Sequence, residues 1–323
     1  MTTLFCSRCY KPGVSLMKCG KCQSRLYCSR ECQRLDWKRA SHKSWCKASG
    51  EINVDFEIRN APGKGVGIFA LRTFKRGEKI MVERPILYSR SGLVPVDADV
   101  APGAQWAVDL LLPRDGSLQD KFDRNAMSCA EDQGASGLFI TMSRVNHDCV
   151  GNTLHHYVDS QGVKILVASH EILAGDEITF SYTDIVRGRR TFLAQKFDFS
   201  CGCLACTDPS IGNLLLRAKE LDQKIIQLGS SGNFAGSIRA GKSLLRIYDS
   251  LQSSPKMYLR TYYDMFQMAI TKRSTLQDGI KYMKRAMQFA LEFYGEQLKN
   301  DEIVTQYAKY LSHPSSHRNY LAA

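Results

Sequence analysis

Apolar positions along this chain follow two rhythms. Between residues 56 and 90, beginning FEIRNAPGKGVGIFA, apolar residues alternate and are interrupted by glycine-containing breaks, the pattern of short strands. Two more strand-like runs, VKILVAS and EITFSY, flank a turn at Ala174-Gly175-Asp176. From residue 211 the period changes. NLLLRAKELDQKIIQL, FAGSIRAGKSLLRIYDSL, MYLRTYYDMFQMAI and LQDGIKYMKRAMQFALEFY carry apolar residues at i, i+3 and i+4, which predicts amphipathic helices. Breaks at Gly229–Gly232, Ser253–Pro255 and Lys272–Ser274 mark their ends. AGKSLLRIYDSL and GIKYMKRAMQFAL recur about 40 residues apart, near the spacing of stacked helical pairs. The Met and Tyr stripes in these helices read as core.

Composition narrows the class. The chain has 323 residues, 44% of them hydrophobic and 24% charged, with nine prolines, so it is neither low-complexity nor broadly disordered. Its length suggests two or three units of roughly 100–150 residues. No apolar run approaches the roughly 18–20 residues of a membrane span, and the opening MTTLFCSRC lacks an export-signal core. The sequence therefore argues against secretion and membrane insertion. Charge is distributed in blocks. Residues 1–50 hold 11 Lys/Arg against 2 Asp/Glu, residues 51–210 hold 17 against 21, and residues 211–323 hold 16 against 9. We expect three units: a basic head (1–50), an acidic middle (51–210) and a basic helical tail (211–323).

Twelve cysteines without an export signal point to metal binding and away from a disulfide framework. In the head they form spaced pairs: Cys6/Cys9, Cys19/Cys22, Cys28/Cys32 and, with a histidine, His42/Cys46. Zinc takes four N/S ligands, so eight ligands make two ions. Fifty residues cannot bury enough apolar surface to fold unaided, and structural zinc supplies the missing free energy. In the middle, Cys201, Cys203 and Cys206 need one further ligand, for which Cys149 is the natural candidate. Only Cys129 is left over. The GKGVG segment lacks the GK[ST] ending of a phosphate loop, and no helix signature follows it, so nucleotide-loop readings fail their context.

The order of the head's pairs, with Tyr27 before Cys28 and Trp37 between Cys32 and His42, resembles the MYND zinc finger. That resemblance implies crossed pairing: Cys6, Cys9, Cys28 and Cys32 on one zinc, and Cys19, Cys22, His42 and Cys46 on the other. The four residues between Trp37 and His42 exceed the family's spacing by about two. Such fingers more often look like docking modules for proline-containing peptides; the head's basic charge would suit nucleic acid, and the bland reading is a solvated surface.

The middle resembles a SET-domain methyltransferase, and with the finger the chain resembles the SET-and-MYND family of protein lysine methyltransferases. GKGVGIFA, SRVNHDCVGN, GDEITFSYTD and CGCLAC match that family's motifs in order over residues 63–206. The implied fold is α+β and multidomain: a zinc-stapled finger, a β-rich SET domain with a knot-like core and a post-SET zinc site, and an all-α, TPR-like tail. Residues 91–134 would form a helical insert.

By matching positions, Asn146 and His147 would hold the methionine and adenosine portions of S-adenosylmethionine. Lys64 and Val66 would approach its carboxylate and adenosine, and Phe199 would pack on the adenine. Asn125 would add a contact. Tyr182 would be the catalytic tyrosine of the methyl-transfer channel and Phe197 its opposite wall. Three residues depart from the family pattern. Asp148 stands where Ser is usual, Gly151 stands where Pro is usual and would loosen the loop before Asn152, and Phe197 replaces a second tyrosine. The implied function is lysine methylation of a histone or non-histone protein in cytoplasm and nucleus by a monomer, a chromatin regulator in the histone case. Three structural zincs would accompany the cofactor. The alternative is a catalytically weak scaffold or transcriptional regulator that recruits proteins or nucleic acid through its finger.

Overall fold

Strands fill the chain between Phe56 and Phe180, and helices take over from Arg189. The computed structural model describes residues 4–13, 15–39, 42–46, 50, 54–91, 93–94, 100, 103–129, 134–184, 186–294 and 302–322. They form two compact units. One comprises Met1–His147 and Gly151–Phe180, the other Asp148–Val150 and Ser181–Ala323.

The first unit opens with the finger. A two-stranded ladder pairs β1 (Met17–Lys18) with β2 (Leu26–Tyr27), and α1 (Arg30–Arg39) and α2 (His42–Trp45) follow. Ser29 caps α1, its hydroxyl accepting the Cys32 N–H at 3.1 Å. The buried centre here is small, consisting of Cys6, Cys19 and Tyr27 with Leu16 and four further cysteines packed around them. Cysteine sulfur supplies most of this core.

Next comes the hairpin of β3 (Phe56–Ala61) and β4 (Gly65–Ala70), in register from Phe56↔Ala70 to Ala61↔Gly65. Its turn closes with Lys64 N–H donating to the Ala61 carbonyl at 2.9 Å, and Gly63 and Gly65 both sit at φ above +70°. Side-chain-bearing residues avoid that region, so the glycines set the turn that carries Lys64. β5 (Lys79–Glu83) and β6 (Leu87–Ser89) lead into the insert. There α3 (Gln105–Asp109) and α4 (Leu118–Asn125) form, the latter with a reciprocal Ser117–Asp120 capping box. The expected helical insert thus has two helices among its described residues; 92, 95–99, 101–102 and 130–133 lie outside them. It packs on the finger, where Trp106 Nε1 donates to the Tyr10 carbonyl at 2.9 Å over a shared core that includes Ala107, Leu111 and Phe122.

β7 (Met127–Ser128) and β8 (Ser136–Leu138) join β6 in a small sheet, order β6-β8-β7. β9 (Asn146–His147), β10 (Thr153–Val158), β11 (Val163–Ala168) and β12 (Glu177–Phe180) complete the unit. All six residues of β11 are buried, including Lys164, whose ammonium donates to the Ser128 carbonyl and whose pKa burial pushes down to about 8. One sheet runs β10-β11-β5; the other runs β3-β4-β12-β9. Within the latter, β12 pairs antiparallel with β4 and parallel with β9.

The second unit holds the tail. After α5 (Arg189–Phe197) and α6 (Leu204–Thr207) come α7 (Pro209–Ser230), α8 (Phe234–Ser250), α9 (Pro255–Ala269), α10 (Leu276–Tyr294) and α11 (Glu302–Ser312). Their breaks fall where the sequence period fails. Asp208 caps α7 ahead of Pro209, accepting the Ser210 N–H at 2.8 Å, and Asn233 caps α8 through the Gly236 N–H at 3.0 Å. Met265, Met283, Tyr248 and Tyr258 are buried in one core with Leu244, Phe266 and Phe289. The Met and Tyr stripes are packing residues.

Candidate cofactor and metal sites

Three strands of one sheet bring the first site together. Register places Glu177 opposite Phe69 of β4 and Thr179 opposite Asn146 of β9, so residues from all three strands can meet across β12. Asn146 Nδ2 donates to the Val66 carbonyl at 3.0 Å and to Glu177 Oε1 at 2.8 Å. The other carboxylate oxygen of Glu177 lies 2.7 Å from Lys64 Nζ. Gly67 forms the floor, where a Cβ would sit 2.7 Å from Glu177 Oε1 and 2.9 Å from Asn146 Nδ2. Of the residues expected at the cofactor, Lys64, Val66 and Asn146 are thus in one network, and His147 is buried beside them opposite Phe180. Asn125 is engaged elsewhere. Its amide donates to the Leu112 and Lys121 carbonyls at 2.6 and 2.7 Å at the end of α4.

The NHDCVGN loop is stitched to β12. The Asn152 amide donates to the Glu177 carbonyl and accepts the Thr179 N–H, both at 2.8 Å, and Thr153 Oγ1 donates to the Thr179 carbonyl at 2.7 Å. Gly151 does not loosen the loop. A Cβ there would lie 2.5 Å from Phe180 Cα and 2.9 Å from its N and C atoms, so the glycine permits a direct backbone approach. Asp148, the other departure, accepts the Val150 N–H at 2.8 Å and closes a local turn.

In the second unit Tyr182, Phe197 and Phe199 form an aromatic group. Ring centroids are 5.0 Å apart for Tyr182–Phe197, 6.3 Å for Tyr182–Phe199 and 6.5 Å for Phe197–Phe199. Nearby in sequence, Cys149, Cys201, Cys203 and Cys206 have sulfurs all within 4.8 Å of one another. Hydrogen bonding from Cys149 leads the causes that pull Cys203 down to about 4, while Cys149 itself is pushed well up. Four sulfurs gathered this closely suit a cation. Arg189, which donates to the Ala205 carbonyl, interacts with Cys206 and Cys149 and adds positive charge beside the sulfurs.

Two more clusters lie in the finger: Cys6, Cys9, Cys28 and Cys32, and Cys19, Cys22, His42 and Cys46. None of the twelve cysteines is in a disulfide. The Cys9–Cys28, Cys28–Cys32 and Cys149–Cys206 sulfur separations are each 3.6 Å. That matches the edge of a tetrahedron with arms of about 2.3 Å, which is about 3.8 Å, and is far from a disulfide bond. Each of the three clusters among the described residues could therefore hold a tetrahedral metal ion.

The long Trp37–His42 interval does not displace the histidine. Its Nε2 lies 3.5 Å from Cys22 Sγ, and Trp37 packs edge-on against the ring at 5.5 Å. Nδ1 lies 3.0 Å from the Tyr27 hydroxyl, which donates to Asp36 Oδ2 at 2.7 Å. The Tyr27 oxygen can then accept from Nδ1–H, which leaves Nε2 free of its proton to ligate. Arg25 completes the support, donating to both Asp36 oxygens and, at 2.7 Å, to the Ser7 carbonyl between Cys6 and Cys9. One buried ion pair thus braces both finger clusters.

Sequence reasoning missed Glu177, Asp36, Arg25 and Arg189. For Asp36 a signal exists, since it is one of only two acids in a head with 11 basic residues. Glu177 gave none, because an acid on a short strand next to a turn reads as solvated.

Residues 6–46 match the MYND finger family and residues 65–183 the SET domain family. The chain thus carries a region similar to the MYND finger and a region similar to the SET domain, with a helical C-terminal region after them. It is 27% identical over 162 residues to "Histone-lysine N-methyltransferase set5" of Schizosaccharomyces pombe, covering 47% of this chain and 50% of that one. It is 28% identical over 229 residues to "SET domain-containing protein 14" of Caenorhabditis elegans, covering 63% and 51%. To "N-lysine methyltransferase SMYD2-B" of Danio rerio it is 26% identical over 306 residues, covering 85% and 65%. The chain spans about half the length of the first two of these relatives. No helix among the described residues is long and apolar enough to cross a membrane.

Proposed function

We propose that this protein is an S-adenosylmethionine-dependent protein-lysine N-methyltransferase with zinc in its three cysteine clusters. The observation that carries the reading is the Lys64–Glu177–Asn146 network on the GKGVG turn and the NH strand. It supplies cationic and neutral polar groups suited to an amino-acid zwitterion, on the two motifs that the SET resemblance assigns to the cofactor. The relatives' names point the same way, two of them being N-methyltransferases of lysine.

Bound S-adenosylmethionine supplies an electrophilic methyl group on a sulfonium. The chain's part is to bind, orient and exclude water. Lys64, the Val66 segment, Asn146 and His147 would hold the cofactor, and Phe199 would cover its adenine. The Tyr182 hydroxyl would orient the lysine amine, which must reach the methyl in its neutral form although its ordinary pKa is about 10.4. Aromatic walls such as Phe197 favour that neutral form by desolvation, and alignment lowers the barrier further. The amine forms its new bond to carbon as the carbon–sulfur bond breaks, and the product ammonium loses a proton to solvent. The acidic middle of the chain suits a basic, lysine-bearing substrate. The finger would add a docking surface for a proline-containing peptide, and a histone substrate would place the protein in the nucleus as well as the cytoplasm.

Calorimetric titration with S-adenosylmethionine, followed by mass spectrometry of lysine-rich proteins incubated with labelled cofactor, tests the reading. Saturable binding and labelled lysine are expected. Absence of binding to folded, zinc-loaded protein would put the scaffold reading ahead.

A further inference from the structure

We infer that Glu177 is a positioning residue that fixes which groups the binding site presents to the amino-acid end of the cofactor; this rests on the cofactor reading above. An Asn amide presents either an acceptor or a donor, depending on which way it is turned. Asn146 has both of its Nδ2 hydrogens committed, one to the Val66 carbonyl and one to Glu177 Oε1. What remains to meet a ligand is Oδ1, an acceptor. The amino-acid end of S-adenosylmethionine carries an ammonium, which needs an acceptor, and a carboxylate, which needs a cation. Turned the other way, the amide would set its NH2 against the ammonium.

Glu177 also sets the cation. Its Oε2 holds Lys64 Nζ at 2.7 Å, and a lysine ammonium has three donors, so it can keep this bond and accept a second anion. One carboxylate therefore gathers an acceptor and a donor from segments 82 residues apart. With Glu177 ionised, Lys64 and Glu177 together are neutral, and such a site favours a zwitterion over a simple anion. Gly67 makes the arrangement sterically possible, because a methyl group there would overlap both the carboxylate oxygen and the amide nitrogen. β-Sheet register delivers the parts: the β3–β4 turn brings Lys64, β9 brings Asn146 and β12, between β4 and β9, brings Glu177.

The test uses two probes with full-length, zinc-loaded protein in calorimetry. S-adenosylhomocysteine retains the amino-acid end; 5′-methylthioadenosine lacks it. Glu177→Ala should weaken S-adenosylhomocysteine by about tenfold or more while changing methylthioadenosine by less than about twofold. Glu177→Gln keeps an acceptor for Asn146 and should fall between wild type and the Ala variant. That partial rescue is an outcome a merely structural role would not give. If Glu177→Ala loses its thermal transition, the Gln variant carries the test, with a selective loss of about threefold expected. Wild-type affinity for S-adenosylhomocysteine retained in both variants, or an equal loss for both probes, would overturn the role of Glu177 and leave the cofactor reading standing. Failure of wild type to bind S-adenosylhomocysteine would overturn that reading and this inference with it.

Discussion

Lys64 and Glu177 lie 113 positions apart in the chain, yet the ammonium of one is 2.7 Å from the carboxylate of the other. A glycine-rich turn and a strand entered from another turn are thereby tied at the point where Asn146 joins them. On the surface such a pair contributes little stability, and Lys64 is 43% exposed. Its meaning is geometric: it holds donors and acceptors where a ligand could use them.

Asn146→Ala deletes the amide that links Val66 and Glu177. Affinity for S-adenosylmethionine should fall by about 1–3 kcal/mol, the cost of leaving polar partners unsatisfied. Calorimetry on a variant with unchanged thermal unfolding checks this, and unaltered affinity would mean the cofactor binds elsewhere.

Tyr182→Phe removes one oxygen and keeps the ring that packs at 5.0 Å from Phe197. Turnover should fall by about tenfold or more with cofactor affinity little changed, the signature of an interaction made in the transition state. Phe197→Tyr should shift the proportions of mono-, di- and trimethyl-lysine. Mass spectrometry of labelled product reads both; undiminished turnover by Tyr182→Phe would remove its catalytic role.

Metal analysis of purified protein should find three zinc ions, and thiol titration under denaturing conditions should find no disulfides. A value of two with the finger intact would dismiss the Cys149/Cys201/Cys203/Cys206 site. Chelation should unfold the finger, whose buried centre of Cys6, Cys19 and Tyr27 is too small to persist alone.

Gly151→Ala tests the backbone approach beneath β12. The added methyl would meet Phe180 backbone at 2.5 Å, and main chain in a ladder cannot swing aside as a side chain does. A destabilisation of about 1–3 kcal/mol in denaturant unfolding is expected. Wild-type stability would show that the loop gives way.

Asp264 predicts a pH dependence in the helical tail. Burial raises its carboxyl from 3.8 to about 6, with Arg260 opposing and Asp222 adding to the rise. The folded state therefore binds more protons than the unfolded state between these values, and stability falls as pH rises through that window. Asp264→Asn should stabilise the protein above pH 6 by at most about 3 kcal/mol and have little effect below pH 4. Thermal unfolding of both proteins across pH 4 to 8 measures it; parallel curves would refute it.

The sequence by itself determined the features that depend on local spacing. Spaced pairs such as Cys6-x2-Cys9 and Cys28-x3-Cys32 declare metal ligation because residues so close in the chain can reach one ion. The helices of the tail were legible from a 3.6-residue apolar period, and their ends from the breaks at Gly229–Gly232 and Ser253–Pro255, because helix termination is local chemistry. Tertiary structure decided what requires two distant segments to meet. Gly151 looked like a loosened loop and is a close contact, since only the path of β12 reveals what the missing Cβ avoids. Asn125 sits in a plausible motif, yet α4 directs its amide to neighbouring carbonyls. Glu177 was one acid among 32 until pairing of β12 with both β4 and β9 placed it between Lys64 and Asn146. Register across a sheet is a property of the whole packed core, and no spacing along one strand encodes which side chain arrives opposite it.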